Sequence, residues 1–172
     1  MPTVDSPLQI RPAQPNDVAT IAQFNIDLAS KTENRQLEPE RVLAGVAAFI
    51  ADPGKGFYLV AERDGQVAGQ LMVTYEWSDW RNGVFWWLQS VFVLPQYRRA
   101  GVFKALFSHL EAQARRRPDV CGLRLYVDAE NRRAQGVYSR LGMGQSRYLF
   151  YETDFVLKES ENSVGSTLQS GT

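Results

Sequence analysis

The spacing of apolar residues changes several times along the chain, and each change marks the start of a new predicted element. Runs that are continuously apolar, or that alternate with polar residues, are typical of strands. They occur at 8–11, 57–62, 67–75, 84–94, 123–127 and 147–155. The Asp64-Gly65 pair between the second and third runs predicts a tight hairpin. The polar segment 76–83 predicts a loop before the fourth strand.

Four other stretches carry apolar residues every three or four positions, which is the spacing of an amphipathic helix. The first follows Pro15, whose missing N–H costs nothing in a first helical turn, and the second begins near Pro39. The third begins at Val102 and the fourth spans 131–141. Asn131 suits a helix cap, because its side chain can accept hydrogen bonds from free N–H groups.

The predicted order is strand, two helices, three antiparallel strands, helix, strand, helix, strand. A helix between the strands at 84–94 and 123–127 is a crossover connection, so these two strands should be parallel neighbours. The pattern therefore predicts an α/β chain with a mixed, mostly antiparallel sheet and helices on both faces. We expect one domain over 1–157, followed by a flexible tail over 158–172 that is rich in Ser, Gly, Thr and Glu.

Composition then narrows the classes of function. The 172 residues include 19 basic and 19 acidic side chains, so bulk charge does not indicate nucleic-acid binding. A single cysteine excludes an intramolecular disulfide, and with one histidine it makes a structural metal site unexpected. No apolar run reaches the length of about 18 residues that a membrane span requires. The N-terminus lacks a signal-peptide pattern, so we expect a cytoplasmic protein without a nucleic-acid or membrane partner.

The clearest chemical signal lies between the strand at 84–94 and the helix that begins at Val102. Pro95 ends the strand, and the turn carries Arg98, Arg99 and Gly101 just before the helix. The first N–H groups of a helix lack intrahelical partners and together attract a phosphate. The two arginines add positive charge at the same place, so the turn predicts a phosphate site. Taken alone, the turn also fits an ordinary strand–helix connection with surface arginines.

This turn resembles the pyrophosphate loop of the GNAT superfamily of acyl-CoA-dependent N-acetyltransferases, whose pattern is Arg/Gln-x-x-Gly-x-Gly/Ala. Arg98 and Gly101 match it, whereas Phe103 stands where the pattern has a small residue, so the Phe103 ring must turn into the core. The resemblance covers about 8–154 and implies the GNAT fold, with acetyl-CoA as co-substrate and no metal. It assigns to the coenzyme the residues Val91, Phe92 and Val93 along the pantetheine and acetyl group, and Arg98, Arg99, Ala100, Gly101, Val102 and Phe103 around the diphosphate.

The segment 131–143, NRRAQGVYSRLGM, is similar to a second GNAT motif. Asn131 and Tyr138 lie two helical turns apart on one face. The resemblance implies that Asn131 contacts the coenzyme arm and that the Tyr138 hydroxyl lies near the sulfur. A phenol with an ordinary pKa of about 10 can protonate a thiolate, so Tyr138 is the predicted general acid. The same residues also fit an ordinary buried helix stripe with an asparagine cap.

The attacking amine must lose a proton, and many GNAT enzymes use a carboxylate on or near the central strand. The strand at 84–94 carries none, because its only polar side chains are Gln89 and Ser90. Glu76 is therefore the predicted base, with Asp79 as the other nearby carboxylate. A chain of waters could serve instead, and both acids also fit solvated loop positions.

All four tryptophans lie within 77–87. Trp77 and Trp80, together with Asp79 and Gln89, predict a pocket that binds a cationic amine through cation–π attraction and charge pairing. Packing of the sheet, or a homodimer contact, accounts for the tryptophans equally well.

Two functions of different classes follow from these residues. The first is an enzyme that transfers acetyl from acetyl-CoA to a primary amine of a small molecule by direct attack in a ternary complex. Direct attack is preferred because no cysteine is placed to carry an acyl group. The second is a non-catalytic CoA-binding regulatory module, which Phe103 and the missing strand carboxylate favour. A larger acyl group or a protein amine as acceptor stays open within the first class.

Overall fold

The structure is a computed structural model, and it describes residues 7–157. The strands are β1 (Gln9–Pro12), β2 (Gly56–Arg63), β3 (Gln66–Ser78), β4 (Gly83–Val93) and β5 (Val120–Arg124). The α-helices are α1 (Val18–Thr32), α2 (Pro39–Ile50), α3 (Val102–Arg115) and α4 (Arg132–Arg140). Short 3-10 turns at Pro15–Asp17 and Pro95–Tyr97 precede α1 and α3. The predicted tail at 158–172 lies outside the described residues.

The five strands form one sheet in chain order, from β1 at one edge to β5 at the other. Strands β1 to β4 pair antiparallel, and β5 pairs parallel to β4. The prediction of a mixed, mostly antiparallel sheet is confirmed, as is the crossover that makes β4 and β5 parallel neighbours. Helix α3 is that crossover, and it therefore lies against the sheet between the two strands.

Helices cover both faces of the sheet. On the face that we call the α3 face, the apolar stripe of α3 packs against Leu59, Leu71 and Trp86. On the opposite face, the α1/α2 face, both helices pack against Val60 and Phe92. Because side chains alternate along a strand, each strand contributes to both cores. The predicted placement of helices on both faces is confirmed.

The bounds of β3 and β5 differ most from the sequence prediction. Strand β3 runs on to Ser78, so Glu76 and Trp77 belong to the strand and not to a loop. They pair with β4, and this pairing overrides the polar character of the segment. Strand β5 begins at Val120 instead of 123, since the chain is already bound to β4 by the hydrogen bond from the Val84 N–H to the Asp119 oxygen, at 2.8 Å.

The prediction of a last strand at 147–155 is wrong. Its alternating aromatic residues are typical of a strand, but the described backbone there joins no sheet. Most of its large side chains are exposed, and Phe150 stacks on Tyr126 with ring centroids 5.1 Å apart. Strand propensity reflects packing against neighbouring strands, so an aromatic pattern without a paired edge does not by itself form a strand.

Gly56, at the start of β2, lies at a close approach of two backbones. Its φ of 144° is a conformation that side chains rarely adopt. A Cβ on Gly56 would overlap the Val73 carbonyl oxygen and would lie 2.7 Å from the Phe49 ring. Glycine is therefore needed here for both space and backbone conformation.

We expect Gly56→Ala to lower the free energy of unfolding by about 2–4 kcal/mol, through overpacking and backbone strain together. Urea denaturation measures this loss. The matched control is Gly45→Ala on the exposed side of α2, where no atom lies within 4 Å of the new Cβ. That change should stabilise the protein by about 0.5–1 kcal/mol. A loss below 1 kcal/mol at Gly56 would contradict the close approach described above.

Candidate functional site

Strands β4 and β5 pair over only part of their length. Their register runs from Val84 opposite Val120 to Trp87 opposite Arg124, whereas β4 continues to Val93. Beyond Trp87, a cavity of about 290 Å³ opens beside β4. One wall consists of Val91, Phe92 and Val93, and the facing wall consists of Asn131, Ala134 and Val137 at the start of α4. No pattern in the sequence indicated this separation.

Several predicted coenzyme residues meet at this cavity, which we call the groove. Val91, Phe92, Val93, Arg98 and Asn131 all line it. Asn131 also caps α4, because its Oδ1 accepts a hydrogen bond from the Ala134 N–H at 3.0 Å. The cap explains why α4 begins at this point and keeps its first turn against the groove. The structure thus brings these residues together, and their contact with a coenzyme stays a prediction.

The turn before α3 curls through left-handed backbone. Arg99 has φ of 65° and Gly101 has φ of 78°. Gly101 is the N-cap of α3. Because glycine has no side chain, no side-chain cap accepts a hydrogen bond from the first N–H groups of the helix. Successive N–H groups in such a turn form a concavity suited to an anion. Ala100 is exposed within it, whereas the Val102 side chain is buried, which leaves Val102 only its backbone for binding.

Positive side chains surround the groove. The Arg98 Nε donates to the Val93 carbonyl oxygen at 3.1 Å, which ties the turn to the end of β4. Lys31, at the end of α1, and Arg133, in α4, also line the groove. Sequence reasoning did not single out Lys31 or Arg133 as groove residues. Lys31 lies far from both motifs in sequence, and Arg133 lies within the segment 131–143 but was given no role there.

Phe103 turns its ring inward, as the sequence predicted. The ring is half-buried against the core of the α3 face and lies 6.1 Å from the Phe107 ring, between centroids. It also meets the Tyr138 ring edge-on at 5.9 Å. Burial raises the pKa of Tyr138 above its ordinary value, so the phenol keeps its proton throughout the neutral range.

A β-bulge interrupts β4 at the groove. Gln70 pairs with Phe92 and Met72 pairs with Gln89, so Ser90 and Val91 together oppose one residue of β3. Ser90 has φ of 48°, which is a left-handed conformation that is unfavourable for a serine. No sequence signal marked Ser90 for this role, because serine has no special preference for such a backbone.

Another set of polar side chains lies on the α1/α2 face, between the start of β4 and the bulge. The Glu76 carboxylate accepts hydrogen bonds from Arg124 Nη1 at 2.6 Å and from Trp87 Nε1. The Trp87 ring lies 5.9 Å from the Tyr126 ring, between centroids. Gln89 lies between this group and the bulge, and its Nε2 donates to the Thr74 hydroxyl at 2.6 Å. This row of side chains, which we call the acceptor wall, consists of Glu76, Trp87, Tyr126, Thr74 and Gln89.

The structure does not bring together the residues that were predicted to form an aromatic pocket. Trp77 pairs with Val84 and therefore faces the α3 face, opposite to Gln89. Trp80 lies in the turn between β3 and β4 and is 84% exposed. Its backbone N–H donates to the Asp79 carboxylate at 2.8 Å. Strand alternation thus separates residues that are close in sequence, and the grouping of Trp77 and Trp80 with Gln89 is corrected.

Glu76 lies far from the bulge. It pairs with Phe85, which is about 20 Å along β4 from Val91 at the usual rise per residue. Its carboxylate also contacts Arg124 rather than Tyr138. The assignment of Glu76 as the general base stays a prediction, and at this distance it would require a relay through solvent.

Within residues 7–157, no helix is long and apolar enough to cross a membrane. No three His, Cys, Asp or Glu side chains of that part of the chain come together as a metal site.

Comparisons with known proteins agree with one another. Residues 21–143 match the model of the family described as "Acetyltransferase (GNAT) family". The chain is 32% identical over 160 residues to the mycothiol acetyltransferase of Streptomyces griseus. That match covers 89% of this chain and 48% of the relative, so the chain spans about half the length of that protein.

Solved structures have the same fold. "A possible acetyltransferase" from Clostridium difficile 630 is 42% identical, with a TM-score of 0.81, and the match covers 87% of this chain and 98% of that one. A predicted acetyltransferase with acetyl-CoA from Clostridium acetobutylicum is 14% identical, with a TM-score of 0.69, covering 86% of this chain and 96% of that one. At 14% identity, the second likeness concerns the fold alone.

The Phe103 ring can be tested by truncation. We expect Phe103→Ala to cost about 1–2 kcal/mol of unfolding free energy, because the ring is only half-buried. Phe107→Ala, whose side chain is 2% exposed, should cost about 3–5 kcal/mol. Removing the Phe103 ring also exposes the Tyr138 phenol, so NMR titration should show its pKa falling back toward the ordinary value. A Phe103→Ala loss as large as that of Phe107→Ala would contradict this account.

Proposed function

The chain belongs to the acetyltransferase (GNAT) family, and from this we propose that it transfers an acetyl group from acetyl-CoA to a primary amine of a small molecule. The observation that carries the proposal is the convergence of three features on one groove. These are the parting of β4 from β5, the bulge at Ser90 and the left-handed turn before α3.

The groove fits the parts of acetyl-CoA in order. The turn at Arg99–Gly101 and the first N–H groups of α3 suit the diphosphate, with Arg98, Lys31 and Arg133 supplying positive charge. The amide-bearing pantetheine arm can lie along the stretch of β4 that has no β5 partner. The acetyl end then reaches the bulge at Ser90 and Val91.

The transfer proposed here proceeds by direct attack on the thioester. The amine nitrogen bonds to the acetyl carbon, the carbon–sulfur bond breaks, and negative charge develops first on the carbonyl oxygen and then on sulfur. A backbone N–H at Val91 can stabilise the oxygen. Tyr138, whose raised pKa keeps it protonated, can give its proton to the sulfur. The proton lost by the amine passes to solvent, directly or through a distant carboxylate such as Glu76.

The acceptor is proposed to bind along the acceptor wall. With its amine at Val91, an elongated molecule would reach the Trp87 ring about 13 Å along the strand. There it would meet the Glu76 carboxylate, whose side chain is 42% exposed. The carboxylate also binds Arg124, and together with the Trp87 and Tyr126 rings it favours a second positive group at that end of the acceptor.

A thiol-release assay with acetyl-CoA and a panel of amines tests the reaction. Tyr138→Phe should lower turnover by about a hundredfold, since it removes the general acid. The affinity for CoA, measured by calorimetry, should change little. Tyr151→Phe, at a side chain that is 86% exposed, is the matched control and should be without effect. Coenzyme binding without thiol release for any amine would favour the regulatory module instead.

The acceptor wall is tested by a pair of variants on opposite faces of the sheet. Glu76→Gln should raise the KM for a diamine about fivefold, which corresponds to about 1 kcal/mol of lost charge attraction. Trp77→Ala, on the α3 face, should leave that KM unchanged. CoA affinity and melting temperature serve as checks on folding in both. The reverse pattern of KM values would place the acceptor beside Trp77 and overturn the proposed wall.

A further inference from the structure

A buried polar cluster lies beneath the bulge in β4. Gln70, on β3, is fully buried, and Tyr58, on β2, is 4% exposed. The Gln70 Nε2 donates to the Ser90 carbonyl oxygen at 3.2 Å and to Asn25 Oδ1, on α1, at 2.7 Å. The Asn25 Nδ2 in turn donates to the Tyr58 hydroxyl at 3.1 Å. Three elements of the fold therefore meet at Ser90, whose backbone is left-handed.

The orientation of the Gln70 amide follows from its partners. The Ser90 carbonyl oxygen can only accept, so the Gln70 NH₂ group must face it, and Asn25 must then present its own oxygen to Gln70. Both hydrogens are then used. The Gln70 Oε1 is buried and has no partner among the described residues. A buried amide with an unsatisfied oxygen is costly, which indicates that this glutamine is present for what its nitrogen donates.

The other members of the cluster hold Gln70 in place. Burial raises the pKa of Tyr58, although hydrogen bonds with Asn25 and Ser90 oppose the shift, and the phenol stays neutral. A neutral Tyr58 hydroxyl accepts from Asn25, which leaves the Asn25 oxygen free to accept from Gln70. The chain of donors thus has one direction, from Asn25 to Tyr58 and from Gln70 to Asn25 and Ser90.

The Ser90 carbonyl also determines where the next N–H points. A trans peptide is planar, so the carbonyl oxygen of one residue and the N–H of the next point in opposite directions. Gln70 holds the Ser90 oxygen toward β3 and α1. The Val91 N–H is therefore directed away from β3, toward the side where β4 lacks a partner and the groove opens.

We propose that Gln70 is a positioning residue for acetyl transfer. Through the Ser90 carbonyl, it fixes the peptide whose Val91 N–H stabilises the oxygen of the reacting thioester. The inference rests on the proposed function, and it adds a residue that touches neither coenzyme nor acceptor. A donor held in position before the reaction needs no reorganisation when charge develops, so its effect falls on turnover more than on binding.

The kinetic test uses Gln70→Met, which keeps the length of the side chain and removes both N–H donors. We expect kcat to fall about 10- to 100-fold, while the KM for acetyl-CoA and the affinity for CoA stay within about twofold. Gln70→Leu, which likewise lacks a donor, should show the same loss. Gln23→Met, on the exposed side of α1, is the matched control and should leave kcat unchanged. Full turnover in folded Gln70→Met would overturn the proposal, as would an equal fall in kcat and in coenzyme affinity.

An NMR measurement observes the peptide itself. Labelling serine at the carbonyl carbon and valine at nitrogen selects Ser–Val bonds, of which the sequence has two, Ser90-Val91 and Ser163-Val164. We expect acetyl-CoA to shift the Ser90-Val91 signal more than CoA does, because only the acetyl oxygen can accept from that N–H. In Gln70→Met this difference should disappear. A difference that survives in the variant would overturn the role of Gln70.

The two measurements separate this inference from the proposed function. A wild-type protein that releases no thiol with any amine overturns the proposed transfer, and the acetyl-specific NMR shift then decides the role of Gln70 alone. Active wild-type protein with an unimpaired Gln70→Met variant overturns only the role of Gln70. The absence of any coenzyme-induced shift in folded wild-type protein overturns both.

Discussion

The unequal pairing of β4 is the constraint on which the rest of the structure depends. One end of the strand is hydrogen-bonded between β3 and β5, whereas the other end has β3 alone. Buried backbone N–H and C=O groups need hydrogen-bond partners. Where a strand has no neighbouring strand, water or a ligand must supply those partners. Helix α4 and the end of α1 form the rest of the enclosure around that stretch, and the result is a groove rather than a continuous sheet.

Each part of the site has a different structural support. The turn before α3 depends on backbone conformation, which Gly101 allows and Arg99 tolerates. The bulge depends on polar side chains from three elements, of which Gln70 and Tyr58 are buried. The acceptor wall depends on strand alternation and on the ion pair between Glu76 and Arg124. A change in one of these supports should therefore affect one step of binding or transfer and leave the others nearly intact.

Features with a local cause could be read from the sequence. Helical spacing, the hairpin at Asp64-Gly65 and the Asn131 cap arise within a few residues, and the structure has all of them. The turn with Arg98 and Gly101 was also visible, because a helix start and its flanking charges are adjacent in the chain. The parallel pairing of β4 with β5 followed once the crossover was recognised.

Features that depend on tertiary neighbours could not be read in this way. The segment 147–155 has the apolar pattern of a strand, but pairing requires an edge that the pattern does not describe. The tryptophans are clustered in sequence, and yet alternation sends Trp77 and Trp87 to opposite faces. Gln70 looks like any polar strand residue, and its burial beneath Ser90 becomes visible only when β2, β3 and α1 are assembled.

The location of the four indole rings has a practical consequence. All of them lie within 77–87, at one tip of the β3–β4 hairpin, while the turn at Arg98–Phe103 lies beyond the opposite end of β4. Tryptophan fluorescence from this protein therefore arises from the end of the β3–β4 hairpin that lies far from the turn at Arg98–Phe103. A compound that binds at Trp87 quenches this fluorescence, whereas a compound that binds only near Arg98–Phe103 leaves it nearly unchanged. Intrinsic fluorescence therefore reports which end of β4 is occupied.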